Sequence, residues 1–380
     1  MTSTRRFTLT SIALASAFCA LAGIAEPALA HPDDSEGLRS GMVFTSSNDQ
    51  SGNELLVYAR GRNGTLTMYS HAVTGGQGTG AGLGSQGAVT LSGDGRFVFV
   101  VNALSNSIST FELLGHDLHL ASTVSSGGLH PISVTENDGT VFVLNDAGDG
   151  NVAGFRNVRG DLKPIAGSAR GLSVAGGAGP GQVGLSDDGE ALVVTEKATN
   201  RLTSFRVKAD GSLGPTIVTA SSGQTPFAFA FNRRNRLLVT EAVGGAAGAS
   251  TVSSYRFNAS DPARPVIASA SVPDTQSAAC WVAITPNGRY AFVANTGSSS
   301  VSSYRVAGNG QIELVSAVAG QTGAGSAPAD AAISADGRHL VVRNGRIFTI
   351  SSFSVDGDGN LSAESTFTGL PTTAVGIAAN

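Results

Sequence analysis

Two glutamates, a histidine and a set of asparagines hold comparable places along this 380-residue chain. Glu196 and Glu241 each end a short apolar run, and the matching ends of five other runs are Asn48, Asn102, Asn145, Asn295 and Asn344. Two carboxylates near one opening could work as acid or base, and glutamate has no turn preference that would otherwise put it there. Asparagine tolerates turn conformations, so the asparagines are either turn formers or groups that hydrogen-bond a polar ligand. His130, in Gly127-Gly128-Leu129-His130-Pro131, offers an imidazole suited to proton abstraction, or else packs against Pro131. The candidate catalytic residues are therefore Glu241, His130 and Glu196, with Asn102, Asn145, Asn295, Arg343 and Gln182 as candidate substrate-binding residues.

Other chemistry-bearing patterns carry less. His116-Asp117-Leu118-His119 has no third ligand nearby and suits a solvated turn better than a metal site. Asp356-x-Asp358-x-Asn360 imitates the start of a calcium loop, but Leu361 stands where glycine is needed and Phe367 where the closing glutamate belongs. His31 could bind copper only as a processed N-terminus, Cys280 reads as a buried thiol, and no glycine-rich stretch runs from a strand into a helix. No metal and no cofactor is expected.

The elements that must position these residues repeat. Apolar or β-branched runs at 42–48, 97–102, 141–145, 191–196, 237–241, 291–295 and 340–344 end 54, 43, 51, 45, 54 and 49 residues apart, the period of a four-stranded propeller blade. Ahead of each lies a small-residue strand joined by a turn such as Ser92-Gly93-Asp94-Gly95 or Pro286-Asn287-Gly288, where glycine accepts positive φ at no steric cost. A third alternating strand and an outer fourth follow. The fold expected is all-β, a seven-bladed β-propeller with four antiparallel strands per blade. The first copy begins at its second strand, so the C-terminal stretch 374–379 should supply the innermost strand of blade one and close the ring. Loops leading into the innermost strands and loops leaving the second strands then share one mouth of the central channel, and 75–87 and 243–249 read as surface loops.

Residues 1–30 read as a signal peptide, with Arg5-Arg6, an apolar stretch and Ala28-Leu29-Ala30, and 31–40 as a flexible N-terminus before one propeller domain at 41–380. The chain is accordingly expected to be exported, periplasmic or secreted, with no membrane span. Removing the leader leaves 22 basic against 27 acidic residues, a balance that argues against nucleic acid, and leaves Cys280 without a disulfide partner. A monomer that takes a small molecule at the channel mouth is expected.

The segments Gly95-Arg96-Phe97-Val98-Phe99-Val100-Val101-Asn102 and 285–295, with the ending at 369–380, resemble the lactonase-type propellers, which include bacterial 6-phosphogluconolactonases and fungal carboxymuconate cyclases. The resemblance implies hydrolysis or formation of a lactone, with Glu241 or His130 activating water and Asn145, Asn295 or Arg343 orienting the carbonyl. Val239-Thr240-Glu241-Ala242 matches the family's Val-Asn-Glu-Leu segment, but Phe227 and Ala228 stand where the family's arginine and histidine belong. That departure removes a cation and keeps open an alternative: a non-catalytic propeller that binds a small molecule, peptide or protein.

Overall fold

The computed structural model describes Met1 and residues 41–115, 117–258 and 261–380. The leader, the N-terminal stretch, His31 and His116 lie outside the described residues. Seven antiparallel sheets of four strands succeed one another, the third with an extra two-residue strand on its outer edge. The innermost strands are Val375–Ala379 for blade one, then Val89–Leu91, Pro131–Asn137, Pro180–Leu185, Pro226–Phe231, Ala279–Ile284 and Pro328–Ile333. Each packs on the next, and Val375–Ala379 touches both its neighbours, so the ring is closed. Among the described residues no helix is long and apolar enough to cross a membrane.

Alternation along the second strands explains why the sheets pack radially. Successive side chains point to opposite faces of a strand, so in Phe97–Asn102 the side chains of Val98 and Val100 join a core with Phe44 and Val57 of blade one. Phe97, Phe99 and Val101 join another, with Val141 and Val143 of blade three. The same division recurs at the remaining five blade boundaries, from Leu144 against Leu192 round to Val341 against Ile377. Each fully buried Phe or Val contributes roughly 1.5–3 kcal/mol. One sheet cannot cover both of its faces alone, and two neighbours do so.

The ring is closed by the predicted C-terminal strand. Val375–Ala379 pairs antiparallel with Met42–Ser46. Asn380 Oδ1 accepts from Met42 N–H at 2.8 Å, Thr45 Oγ1 donates to the Gly376 carbonyl at 2.6 Å, and Thr373 Oγ1 donates to the Ser47 carbonyl at 2.6 Å. Gly376 is a position that only glycine suits: its φ is +71°, and a Cβ there would stand 2.7 Å from the Val89 nitrogen.

Candidate functional site

At the upper mouth, where second strands end, the expected polar ring is present but most of it faces inward. Asn102, Asn145, Glu196, Glu241, Asn295 and Asn344 are all 0 % exposed. Only Asn48 has the positive φ of a turn former, at +52°. The others stay extended because their side chains clasp the third strand: Asn102 Nδ2 donates to Ser107 and Ser109, Asn295 Nδ2 to Ser300 and Ser302, and Asn344 Nδ2 to Thr349 and Ser351. Asn145 has no hydroxyl at the matching places and donates to the Ser126 carbonyl instead.

The two glutamates are the same device with the charge retained. Glu241 accepts from Gly223 N–H at 2.7 Å, Thr251 at 2.5 Å, Ser253 at 2.6 Å and Ser271 at 2.9 Å. Glu196 accepts from the backbone and hydroxyl of Ser173, from Thr199 and from Thr203. A carboxylate has about four lone-pair sites, so neither glutamate has one left for a water. The geometry therefore offers no catalytic base at Glu196 or Glu241. Nor does it present Asn102, Asn145 or Asn295 to a ligand. Arg343 is also buried, its Nη2 donating to the Ala329 carbonyl at 2.5 Å. Gln182 faces the channel, where Oε1 accepts from Phe229 N–H at 2.7 Å.

His130 does stand at this mouth, and it has a partner that the sequence did not reveal. Its Nδ1 lies 2.5 Å from Asp146 Oδ1, and the side chains are 34 % and 27 % exposed, so the pair is half in water. Its φ is +56°, held by Asn106, whose Oδ1 accepts from His130 N–H at 2.7 Å. Holding a non-glycine residue in that region costs of order 1–3 kcal/mol. The Asp146 hydrogen bond raises the imidazole pKa above its usual value, partial burial opposes this, and the Asp146 charge adds to the rise. With Nδ1–H donated to Asp146, Nε2 is left as the acceptor.

Lys197 follows Glu196 out of blade four and supplies a cation near this pair. Its ammonium sits 4.7 Å over the Phe227 ring and donates to the Gly84 carbonyl at 2.6 Å. Desolvation lowers its pKa, with the charges of Asp146 and Cys280 pulling the other way. Phe227 also stacks on Trp281, with ring centroids 5.1 Å apart. A cation from the neighbouring blade thus lies above the phenylalanine that stands at the expected arginine position. Burial pushes the Cys280 thiol up to about 11, so it is no nucleophile at neutral pH.

The loop at 75–87 is not a simple surface loop. Its end turns over the channel: Gln86 exchanges two hydrogen bonds with the Val282 backbone, at 2.9 and 3.1 Å, and its own N–H donates to the Gly181 carbonyl at 3.2 Å. Trp281 Nε1 donates to the Ser85 carbonyl at 3.3 Å. Small residues let this strap lie flat: a Cβ at Gly76 would come within 2.4 Å of Asn102, and one at Gly78 within 2.1 Å of the Asn48 backbone. The channel is closed at the upper mouth and opens instead toward the hairpins that join first to second strands, through a cavity of about 540 Å³.

Among the described residues no group of three or more His, Cys, Asp or Glu could hold a metal ion. Asp356 caps its own hairpin, accepting from the backbones of Asp358 and Asn360 at 2.9 Å.

The fold recurs in solved structures. A candidate 6-phosphogluconolactonase from Bacteroides uniformis superposes with a TM-score of 0.68 at 19 % identity, over 88 % of this chain and 98 % of its own. The periplasmic gluconolactonase of Pseudomonas aeruginosa gives 0.64 at 18 % identity, over 88 % and 98 %. A functionally unknown protein from Desulfotomaculum acetoxidans gives 0.67 at 12 % identity, over 89 % and 98 %. At these identities the likeness is one of fold. No curated protein matches the sequence. The family described as lactonase, 7-bladed β-propeller, matches residues 51–171, 160–261 and 248–374, and the chain belongs to it.

Proposed function

We propose that the upper mouth opens the ring of a lactone, with His130 as general base and Lys197 as the cation that answers the developing charge. The observation that carries this reading is the His130–Asp146 pair, whose imidazole keeps one nitrogen without a partner, with a partly desolvated ammonium within electrostatic reach of Asp146. In the step proposed, Nε2 takes a proton from water as the water oxygen bonds to the lactone carbonyl carbon. Asp146 holds the ring and stabilises the imidazolium, and Lys197 stabilises the oxyanion. The ring C–O bond then breaks, the imidazolium returns its proton to the leaving alkoxide, and a hydroxy acid departs. Family membership and the lactonase names of similar folds support the substrate class. Because Lys197 also holds Gly84, a substrate would have to loosen the strap as it binds.

The test is acid release from a panel of uncharged and acidic γ- and δ-lactones. His130→Ala is expected to lower kcat/KM by roughly 10²–10⁴-fold, and Lys197→Met by roughly 10–100-fold, about one lost oxyanion donor or less. Wild-type rate should fall as pH drops through a value above that of free imidazole, because only the neutral ring is a base and Asp146 raises its pKa. In Asp146→Asn that acid limb should move to lower pH. An unchanged rate in His130→Ala would remove the assignment.

The replacement of the family's Arg-His pair by Phe227 and Ala228, together with the closed mouth, favours a second reading in which the propeller binds without turnover. Saturable binding of a lactone with no acid released would select it. We further propose that the protein works outside the cytoplasm, on the strength of the leader-like residues 1–30. N-terminal sequencing of the exported form should then begin at His31.

A further inference from the structure

The hairpins that join first to second strands share a turn chemistry that blade five breaks. In Ser92-Gly93-Asp94, Ser186-Asp187-Asp188, Thr285-Pro286-Asn287 and Ser334-Ala335-Asp336 the first hydroxyl donates to the third residue's Oδ1, at 2.6, 2.6, 2.7 and 2.5 Å. That oxygen also accepts the amide two residues further on, at 3.0, 3.1, 2.9 and 2.9 Å. In Asn232-Arg233-Arg234 the roles are reversed: Asn232 Oδ1 accepts from the amides of Arg234 at 2.9 Å and Arg236 at 3.0 Å. The turn then needs no acceptor at its third residue, and both tip positions are released to exposed arginines.

Arg233 and Arg234, with Arg289 of the next hairpin, line a cavity of about 250 Å³ between blades five and six whose walls hold no Asp or Glu. A Cβ at Gly308 would stand 3.0 Å from Arg234 Nη1, and Arg236 Nη2 donates to the Gly308 carbonyl at 3.3 Å, so two guanidiniums converge on that turn. The Arg289 guanidinium rests 5.7 Å from the centroid of the Tyr290 ring. Among the described residues none of Arg233, Arg234, Arg236 and Arg289 forms an ion pair. Blade two handles its arginine differently: Arg96, the counterpart of Arg289, pairs with Glu112 at 2.9 Å, and the place of Glu112 in blade six is taken by Arg305. Like charges gathered without a counterion repel, and a bound anion relieves the repulsion. Arg233 also borders a second cavity of about 260 Å³, but that one holds Asp336 and Asp356, whose carboxylates repel an anion.

A planar carboxylate engages one or two guanidinium forks, whereas a tetrahedral dianion offers three outer oxygens to forks arriving from two loops. The cavity is smaller than those that enclose a drug-sized molecule, roughly 300–1,000 Å³, so it suits a charged head whose body stays outside. We propose that this cleft binds a phosphate monoester, with the phosphoryl group among Arg233, Arg234 and Arg289. It uses none of the residues assigned to lactone opening and stands whether or not that reaction occurs. The test is calorimetric titration of the full chain with glycerol phosphate, acetate and methyl sulfate at neutral pH, where the monoester is mainly a dianion, and at low ionic strength, where screening is weak. Glycerol phosphate should bind saturably, at least about tenfold tighter than either monoanion, a difference of about 1.4 kcal/mol. Cosedimentation with phosphatidylcholine vesicles, with and without phosphatidic acid, asks whether the head is taken from a lipid. Binding of the soluble ester, or of phosphatidic acid vesicles alone, supports the site and names its source. Arg234→Asp restores the turn residue of blades two, four and seven, so it should keep the fold by circular dichroism and weaken binding at least about tenfold. Arg289→Gln should weaken it similarly and decides the matter if Arg234→Asp does not fold, while Arg62→Gln, an exposed arginine of blade one, should change nothing. Binding of neither ester nor vesicle, equal binding of methyl sulfate, unaltered binding in Arg234→Asp or Arg289→Gln, or an equal loss in Arg62→Gln would overturn the proposal.

Discussion

Removing residues 371–380 is expected to abolish the cooperative fold of the whole ring. The deletion takes away a strand that hydrogen-bonds along Met42–Ser46 and contacts the innermost strands of blades two and seven. Ile377 and Val375 leave two different inter-blade cores, and each such side chain is worth roughly 1.5–3 kcal/mol before any ladder bond is counted. The loss also opens an inner edge on blade one, a ready site for pairing with another chain. Together these exceed about 5 kcal/mol, the lower end of the stability of an ordinary domain. The truncated chain should lose its thermal transition by circular dichroism, or aggregate on expression. A transition within a few degrees of the parent would show that ring closure contributes little. Gly376→Val is a milder version of the same experiment, since the new side chain would meet the Val89 backbone in a conformation that valine avoids.

Glu241→Ala is the second large effect, and it should appear in stability before it appears in any rate. The carboxylate is fully buried and gathers one amide and three hydroxyls from three segments of blade five. Truncation strands four donors in a space closed by Gly223, where even a Cβ would sit 2.2 Å from Glu241 Oε2. Each stranded donor costs about 1–3 kcal/mol, so a loss of roughly 3–5 kcal/mol, allowing for relaxation, is expected in denaturant unfolding. Glu241→Gln should be intermediate, because its amide group offers donors where acceptors are needed. A variant that unfolds like wild type while losing turnover would show instead that the carboxylate reaches substrate, contrary to the enclosure described above.

The architecture was legible because a blade repeats: the seven run ends, their spacing and the turn chemistry between runs are local patterns, and the orphaned first copy located the closing strand. The asparagine ring was visible for the same reason, but its role was not. The signal was in the sequence as hydroxyls five and seven residues after Asn102, Asn295 and Asn344, a spacing set by the hairpin register of second and third strands. Glu241 hides it because the loop 242–250 lengthens the same hairpin.

The site was less legible because its members come from separate blades. His130 could be placed at the mouth from the loop that carries it, whereas Asp146 and Lys197 could not be singled out: each follows a second strand directly and looks like an ordinary polar residue of a loop. Only the superposition of blades three, four and five puts the ammonium over Phe227.

The bond between Gln86 and Val282 spans blades two and six, as far apart as two sectors of a seven-membered ring can be. A spoke of this kind resists the breathing motion by which a toroid widens, and it makes the two halves share any strain. A guest arriving from above must therefore compete with a rigid crossbar, while one arriving from below meets none, so association at the two ends should differ in speed even where the affinities agree.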